Sequence, residues 1–117
     1  MRLDELLRKL DPVLMNPNRL LIVALLYLLG PKKESEIVKA LGMSWGKFST
    51  HIAMLEREGY VVRKQVFTRR GYRTFVKLTP EGRERYRRLI RALREFLSRV
   101  EAGSKGAGGP PQPSGRG

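Results

Sequence analysis

Cysteine is absent from the 117-residue chain. That removes disulfides, thiolate metal sites, redox sensing and cysteine nucleophiles together. Histidine occurs once, at His51, and no nucleophile or orienting carboxylate is patterned around it. We therefore expect no enzyme here, and no catalytic residue, cofactor or metal site. Long apolar runs are missing too. The longest, Leu20 to Leu29, has ten residues, about half of the roughly 20 that a membrane-crossing helix needs. It starts late and lacks a small-residue cleavage pattern, so it is no signal peptide. The expectation is a buried helix in a cytoplasmic protein without membrane association.

Negative charge is the other scarcity. Eleven acidic residues face 24 Lys and Arg, a net charge of +13. A basic balance of this size points to nucleic acid, an anionic surface or an acidic protein partner. The excess is unevenly placed: residues 1–59 carry net +2, residues 60–99 net +10 and residues 100–117 net +1. The charge belongs to the segment around "FTRRGYRTF" (67–75) and to the residues C-terminal to it.

Along the chain, Leu3, Leu6, Leu7 and Leu10 outline a first helix, interrupted by Pro12. A second starts at the cap residue Asn16 with Pro17 in the first turn, and ends at Gly30 before Pro31. A short helix of about 34–41 comes next, closed by Gly42. Ser44 then caps a fourth helix, in which Phe48, Ile52 and Leu55 form the inner stripe and Gly59 the stop. Two short helices joined by the Gly42-Met43 turn, the second with a polar outer face, obey helix-turn-helix grammar.

From Tyr60 the β-branched and aromatic residues take over (Val61, Val62, Val66, Phe75, Val76). With Arg69-Arg70-Gly71 between them they predict a β-hairpin of about 62–78. Lys64 and Gln65 blur the alternation, so no strand register is assigned. Thr79-Pro80-Glu81 opens a long helix. Tyr86, Ile90, Leu93, Leu97 and Val100 step along it by four and three, a seam widened by Leu89 and Phe96. Residues 103–117, rich in Gly, Pro and Ser, have nothing to bury and are expected to be disordered. A single domain over 1–102 precedes them.

The order of these elements resembles the winged-helix transcriptional regulators, MarR-like and ArsR-like, and most of all the small winged helix DNA-binding domain proteins. The resemblance is carried by Leu10-Asp11-Pro12, Arg19-Leu20, Leu41-Gly42-Met43-Ser44, Ser49-Thr50-His51-Ile52 with Leu55-Glu56, Gly59-Tyr60-Val61, Arg70-Gly71-Tyr72-Arg73-Thr74 and Leu78-Thr79-Pro80-Glu81-Gly82-Arg83. It implies a mainly α fold with a β-hairpin wing (α+β): a winged helix-turn-helix with terminal dimerisation helices. The recognition helix, about 45–58, would lie in a DNA major groove, and the wing on the backbone or in the minor groove. Two features depart from the pattern. The Cys/His clusters of ArsR-like metal sensors are missing, and the terminal helices look short beside those that enclose a ligand pocket in larger MarR-like proteins. Whether a small-molecule effector is sensed stays open.

The expected function is a sequence-specific regulator that binds double-stranded DNA as a homodimer. The alternatives are an architectural, chromatin-type or RNA-binding protein, and a protein-interaction module. The candidate DNA-contacting residues are Ser44, Trp45, Gly46, Lys47, Ser49, Thr50 and His51 on the helix, with Arg69, Arg70 and Arg73 on the wing. Lys47 can donate to guanine O6/N7 or to phosphate. Gly46 would let the duplex approach closely. Trp45 either faces DNA or packs on the short helix before it, and His51 is either structural or a phosphate contact. Arg83, nearest the wing, is the first of the long-helix arginines that could touch backbone. The candidate dimer residues are Leu3, Leu7, Leu10, Leu89, Leu93, Phe96, Leu97 and Val100.

Overall fold

Helix α1 (Leu3–Arg8) is a single amphipathic piece that buries Leu6. The computed structural model describes residues 2–108, residues 104–108 by backbone alone. After α1, Asp11 Oδ1 accepts from the N–H groups of Val13 (2.9 Å) and Leu14 (3.1 Å), and the turn so formed seats Leu14 in the core. Helix α2 (Pro17–Leu29) begins as expected. The Asn16 side chain accepts from the backbone of Asn18 and Arg19, satisfying two of the donors every helix start leaves open.

Strand β1 (Lys32–Lys33) leads straight into α3 (Glu34–Leu41), where Glu36 reaches back to the Lys33 N–H at 2.9 Å. Gly42 then turns the chain with φ +61°, a conformation that costs a side chain most and glycine least. Helix α4 (Trp45–Arg57) is next, its first turn capped by Ser44 Oγ accepting from the Lys47 N–H. Strands β2 (Val61–Thr68) and β3 (Gly71–Leu78) make the wing, and α5 (Pro80–Gly108) closes the chain.

The sheet is antiparallel, in the order β1-β3-β2, with Val61 opposite Leu78 at the wing's root and Thr68 opposite Gly71 at its tip. Only the root is buried; every β2 residue from Val62 to Phe67 is exposed. A strand with water on both faces has no reason to alternate, which is why Lys64 and Gln65 blurred the pattern. β1 was not foreseen. Two lysines carry no strand signal, and their pairing with Val76 and Phe75 exists only because β3 presents an edge there.

The core is one cluster. Leu14, Ile22, Val23, Leu26, Ile37, Phe48, Ile52, Leu55, Tyr60, Val61, Val76 and Leu89 are essentially inaccessible. Leu89 was expected in a dimer seam and is instead fully buried in its own protomer. α5 rolls Leu89 and Ala92 inward, so Leu89 has no surface left to offer a partner. Leu10 and Leu93, also assigned to the seam, pack partly against the same core, and Phe96 is half-buried. Leu3, Leu7, Leu97 and Val100 remain exposed.

α5 has 29 residues, so only one terminal helix, α1, is short. It also runs past the boundary expected at residue 102. Glycine in a helix costs only about 1 kcal/mol against alanine, and the first proline after Pro80 is Pro110. The rest of the expected tail, residues 109–117, lies outside the described residues.

Candidate nucleic-acid interface

The outer face of α4 is set by the inner one. With Phe48, Ile52 and Leu55 buried, helical geometry leaves Trp45, Gly46, Ser49, Thr50, Ala53 and Arg57 outward, and all of them are exposed, as is Lys47. Ala53 and Arg57 were not foreseen. Their signal was there, since they continue the Gly46–Ser49–Thr50 row by three and four. Thr50 Oγ1 donates to the Gly46 carbonyl at 3.1 Å, which commits its proton and leaves its lone pairs outward as acceptors. Ser44, engaged as the cap, is exposed beside it. Trp45 is 53% exposed, with its ring edge-on to Phe48 at 5.8 Å.

His51 is placed differently from its neighbours. It is half-buried, with Nδ1 3.2 Å from Arg19 Nη1 and Nε2 3.3 Å from the Asn18 carboxamide. Arginine can only donate, so Nδ1 accepts and the ring is neutral, while the Asn18 amide nitrogen Nδ2 faces Nε2. Burial, then the positive charges of Arg19 and Lys47, hold its pKa below the ordinary histidine value. Arg19 is itself fixed by donating from Nε to the Val13 carbonyl at 2.6 Å. His51 thus braces α4 against the start of α2. Of the two roles open to it, this geometry supplies the structural one.

The wing is held by a residue that no sequence pattern singled out. Arg63 on β2 donates from Nε and Nη2 to Glu56 Oε1 (3.1 and 2.8 Å) and from Nη1 to Glu34 Oε2 at 3.2 Å. One guanidinium therefore ties the hairpin to α3 and α4 together. The Arg63 hydrogen bond, foremost, holds the Glu56 carboxyl below its ordinary pKa. Because Arg63 lies on a different element from each glutamate, 7 and 29 residues away in sequence, no local pattern marks the triad.

At the tip, Thr68 Oγ1 donates to the Gly71 carbonyl (2.6 Å) and accepts from the Arg70 N–H (3.2 Å). Gly71 takes the positive φ, +95°, so Arg69 and Arg70 stay in ordinary conformations at the turn. Both are exposed, and neither has an acidic partner among the described residues. Arg73 is half-buried and donates to the Tyr72 carbonyl at 2.9 Å.

On α5 the arginines are largely engaged at home. Arg85 meets Glu81 and the Tyr60 hydroxyl, Arg88 and Arg91 meet Glu84, Arg99 meets Glu95, and Arg87 donates to the Tyr27 hydroxyl. Arg83, the first of the long-helix arginines expected to reach DNA backbone, lies over the Tyr27 ring at 5.2 Å. Of the cations without an acidic partner among the described residues, Lys47 on α4 and Arg69 and Arg70 at the wing tip are exposed on these two surfaces. A cleft joins the two surfaces, lined by Trp45 from α4, Tyr72, Arg73 and Thr74 from the wing, and Lys33 to Ser35 between them.

A convex helix face beside a basic hairpin is the geometry of a winged helix. The protein-family model for a winged helix DNA-binding domain matches residues 18–97. The chain belongs to that family. This winged-helix protein is 31% identical to a transcriptional regulator homologue from Pyrococcus horikoshii, over 85% of this chain and 96% of that one, with a TM-score of 0.76. A MarR-like transcriptional regulator from Thermotoga maritima is 30% identical, over 75% and 62% of the two chains, at a TM-score of 0.56. Another T. maritima transcriptional regulator is 25% identical, over 75% and 61%, at 0.62. The chain thus spans about three fifths of the two T. maritima proteins.

No curated protein sequence matches it. The family is that of a winged helix DNA-binding domain, and these matched structures are described as transcriptional regulators, one of them MarR-like. Among the described residues, no helix is long and apolar enough to cross a membrane. No group of three or more His, Cys, Asp or Glu among them could hold a metal ion.

Proposed function

We propose that this winged-helix regulator acts in the cytoplasm as a homodimer on double-stranded DNA, each protomer engaging one half of a pseudo-palindromic site. The observation that carries the reading is the separation of charges. Glu34, Glu56, Glu81 and Glu84 are spent on internal partners, while Lys47, Arg69 and Arg70 face outward on the two surfaces that flank one cleft. In this reading α4 enters the major groove. There Lys47 donates to guanine O6/N7 or to phosphate, Ser49 donates or accepts, and Thr50 accepts from an exocyclic amine. The wing arginines track phosphates or enter the minor groove, where guanidinium is favoured by narrow, electronegative stretches. His51 takes no part beyond bracing the helix.

Phosphates repeat at every step and carry no sequence, whereas base edges do. Replacing Arg69 and Arg70 with Ala should therefore weaken binding to all duplexes alike, and flatten the slope of log K against log salt by ~0.9 per lost contact in each subunit. Lys47→Ala and Thr50→Ala should cost specific binding ~1–3 kcal/mol per good base contact and random-duplex binding less. Titrations of selected duplex, random duplex and structured RNA at several salt concentrations decide between the readings. Equal affinity for all three would favour an architectural or RNA-binding protein.

A further inference from the structure

The wing carries two aromatic rings that none of the described residues covers. Phe67 and Tyr72 face each other across the rung next to the tip, edge to face with centroids 5.3 Å apart. They are 72% and 64% exposed. By the alternation of a strand they lie on the same side of the hairpin as Val61, Val76 and Leu78 at its root and Arg63 at its middle. That is the side toward α4, and Tyr72 accordingly lines the cleft it shares with Trp45. Directly after Phe67 and Thr68 come Arg69 and Arg70, the two tip cations without an acidic partner among the described residues.

A cross-strand aromatic pair helps to hold a hairpin, and that accounts for the contact between the rings. It does not account for leaving them open beside the densest cations on the wing. The minor groove of a duplex matches both features: its walls are apolar deoxyribose edged by phosphate, and between its base steps an apolar side chain can be inserted. Phe67 has the greater exposure and no polar atom to desolvate; Tyr72 supports it from behind.

We propose that Phe67, backed by Tyr72, is an apolar wedge that enters the minor groove between the phosphate contacts of Arg69 and Arg70 and partly unstacks one base step. The inference rests on the DNA-binding reading above and adds to it a source of sequence preference in the wing. Pyrimidine–purine steps open most easily, so the wing favours such a step at a fixed distance from the bases under α4, without a hydrogen bond to it.

The test uses a duplex enriched from a random pool by the wild-type chain, with 2-aminopurine placed in turn at each adenine and dyes at both ends. Wild type should raise 2-aminopurine fluorescence several-fold at one pyrimidine–purine step per half-site and shorten the end-to-end distance. Phe67→Ala should lose both signals while keeping the salt slope and the melting temperature of the free protein. Phe67→Leu, which restores apolar bulk but not the aromatic pair, should recover them.

An unstacking signal that is absent in wild type, or unchanged in Phe67→Ala, overturns the wedge even if duplex binding is strong. A change of molecular mass in Phe67→Ala without a change in unstacking overturns it in favour of a protein-contact patch. Failure of the wild-type chain to bind any duplex at low salt is a different result: it removes the DNA-binding reading, and the wedge with it.

Discussion

Tyr60 shows how much one side chain can join. Its ring is buried, its hydroxyl donates to Asp11 Oδ2 at 2.6 Å, and Arg85 donates back to that hydroxyl at 2.9 Å while stacking over the ring at 5.0 Å. Burial first, and the Asp11 hydrogen bond second, push its pKa up to about 12, against the pull of Arg85. The native fold therefore favours the protonated phenol more than the unfolded chain does. That contribution is fully present below about pH 10 and is lost as pH rises from about 10 to 12. Tyr60→Phe should cost about 1.5–3 kcal/mol at neutral pH, the range for hydrogen bonds to charged groups, and should lose stability less steeply than wild type across that alkaline interval. Thermal melts of both proteins from pH 8 upward check the sign.

Gly82 is a residue whose importance is steric. A methyl group built there would overlap the Tyr60 carbonyl, with the Tyr60 Cα and carbonyl carbon also in the way. The approach is this close because Thr79 locks the junction, donating from Oγ1 to the Gly59 carbonyl (2.7 Å) and accepting from the Gly82 N–H (2.8 Å). The obstacle is backbone, which cannot rotate away. Gly82→Ala should therefore destabilise by about 1–3 kcal/mol, despite alanine's better helix propensity. Chemical denaturation with an unchanged slope and a lower midpoint is the expected result.

Among elements, the wing depends on Arg63. Its ion pairs are partly exposed, with side-chain exposures of 34% for Arg63, 21% for Glu34 and 40% for Glu56, so their direct contribution to stability is roughly 1 kcal/mol or less. Their larger effect is geometric, since β2 beyond Val61 has no other ion pair to the helices among the described residues. Arg63→Ala should leave the melting temperature within a few degrees while raising hydrogen exchange in 62–75 and weakening duplex binding. A variant that binds duplex as tightly as wild type would show that the hairpin holds its angle unaided. Glu56 adds a pH dependence: its pKa is depressed, so the triad's contribution is present above the unfolded carboxylate value and is lost as pH falls through the folded one.

For the whole molecule, the open question is the surface that α1 and the far half of α5 leave in water. Leu3, Leu7, Leu97 and Val100 are each about half exposed or more, and burying such a side chain is worth roughly 1.5–3 kcal/mol. A second copy laying the same stripe against this one would cover them, the self-complementary arrangement of two-fold dimers. Leu97→Asp should convert a dimer to a folded monomer, because the change falls outside the protomer core. Light scattering at micromolar concentration reads the mass and circular dichroism the fold. A wild-type mass of one chain would remove the dimer from the proposal.

Helix starts, stops and the turn of the helix-turn-helix were legible in the chain, because they depend on short-range chemistry. Asn16, Ser44, Gly42 and Gly71 each satisfy or permit something within four residues of themselves. The same holds for the inner stripe of α4, and hence for its outer face, since one periodicity settles both. Net charge and its concentration after residue 60 were equally plain. What depended on distant partners was not. β1 exists because β3 has an edge to offer, and Arg63 is a strut because two helices bring glutamates to it. Arg83 lies over Tyr27 and His51 is held by Asn18 and Arg19 for the same kind of reason. Leu89 shows the limit most clearly: a heptad step states that a residue is apolar and on a stripe, but only packing decides whether that stripe meets its own core or another chain.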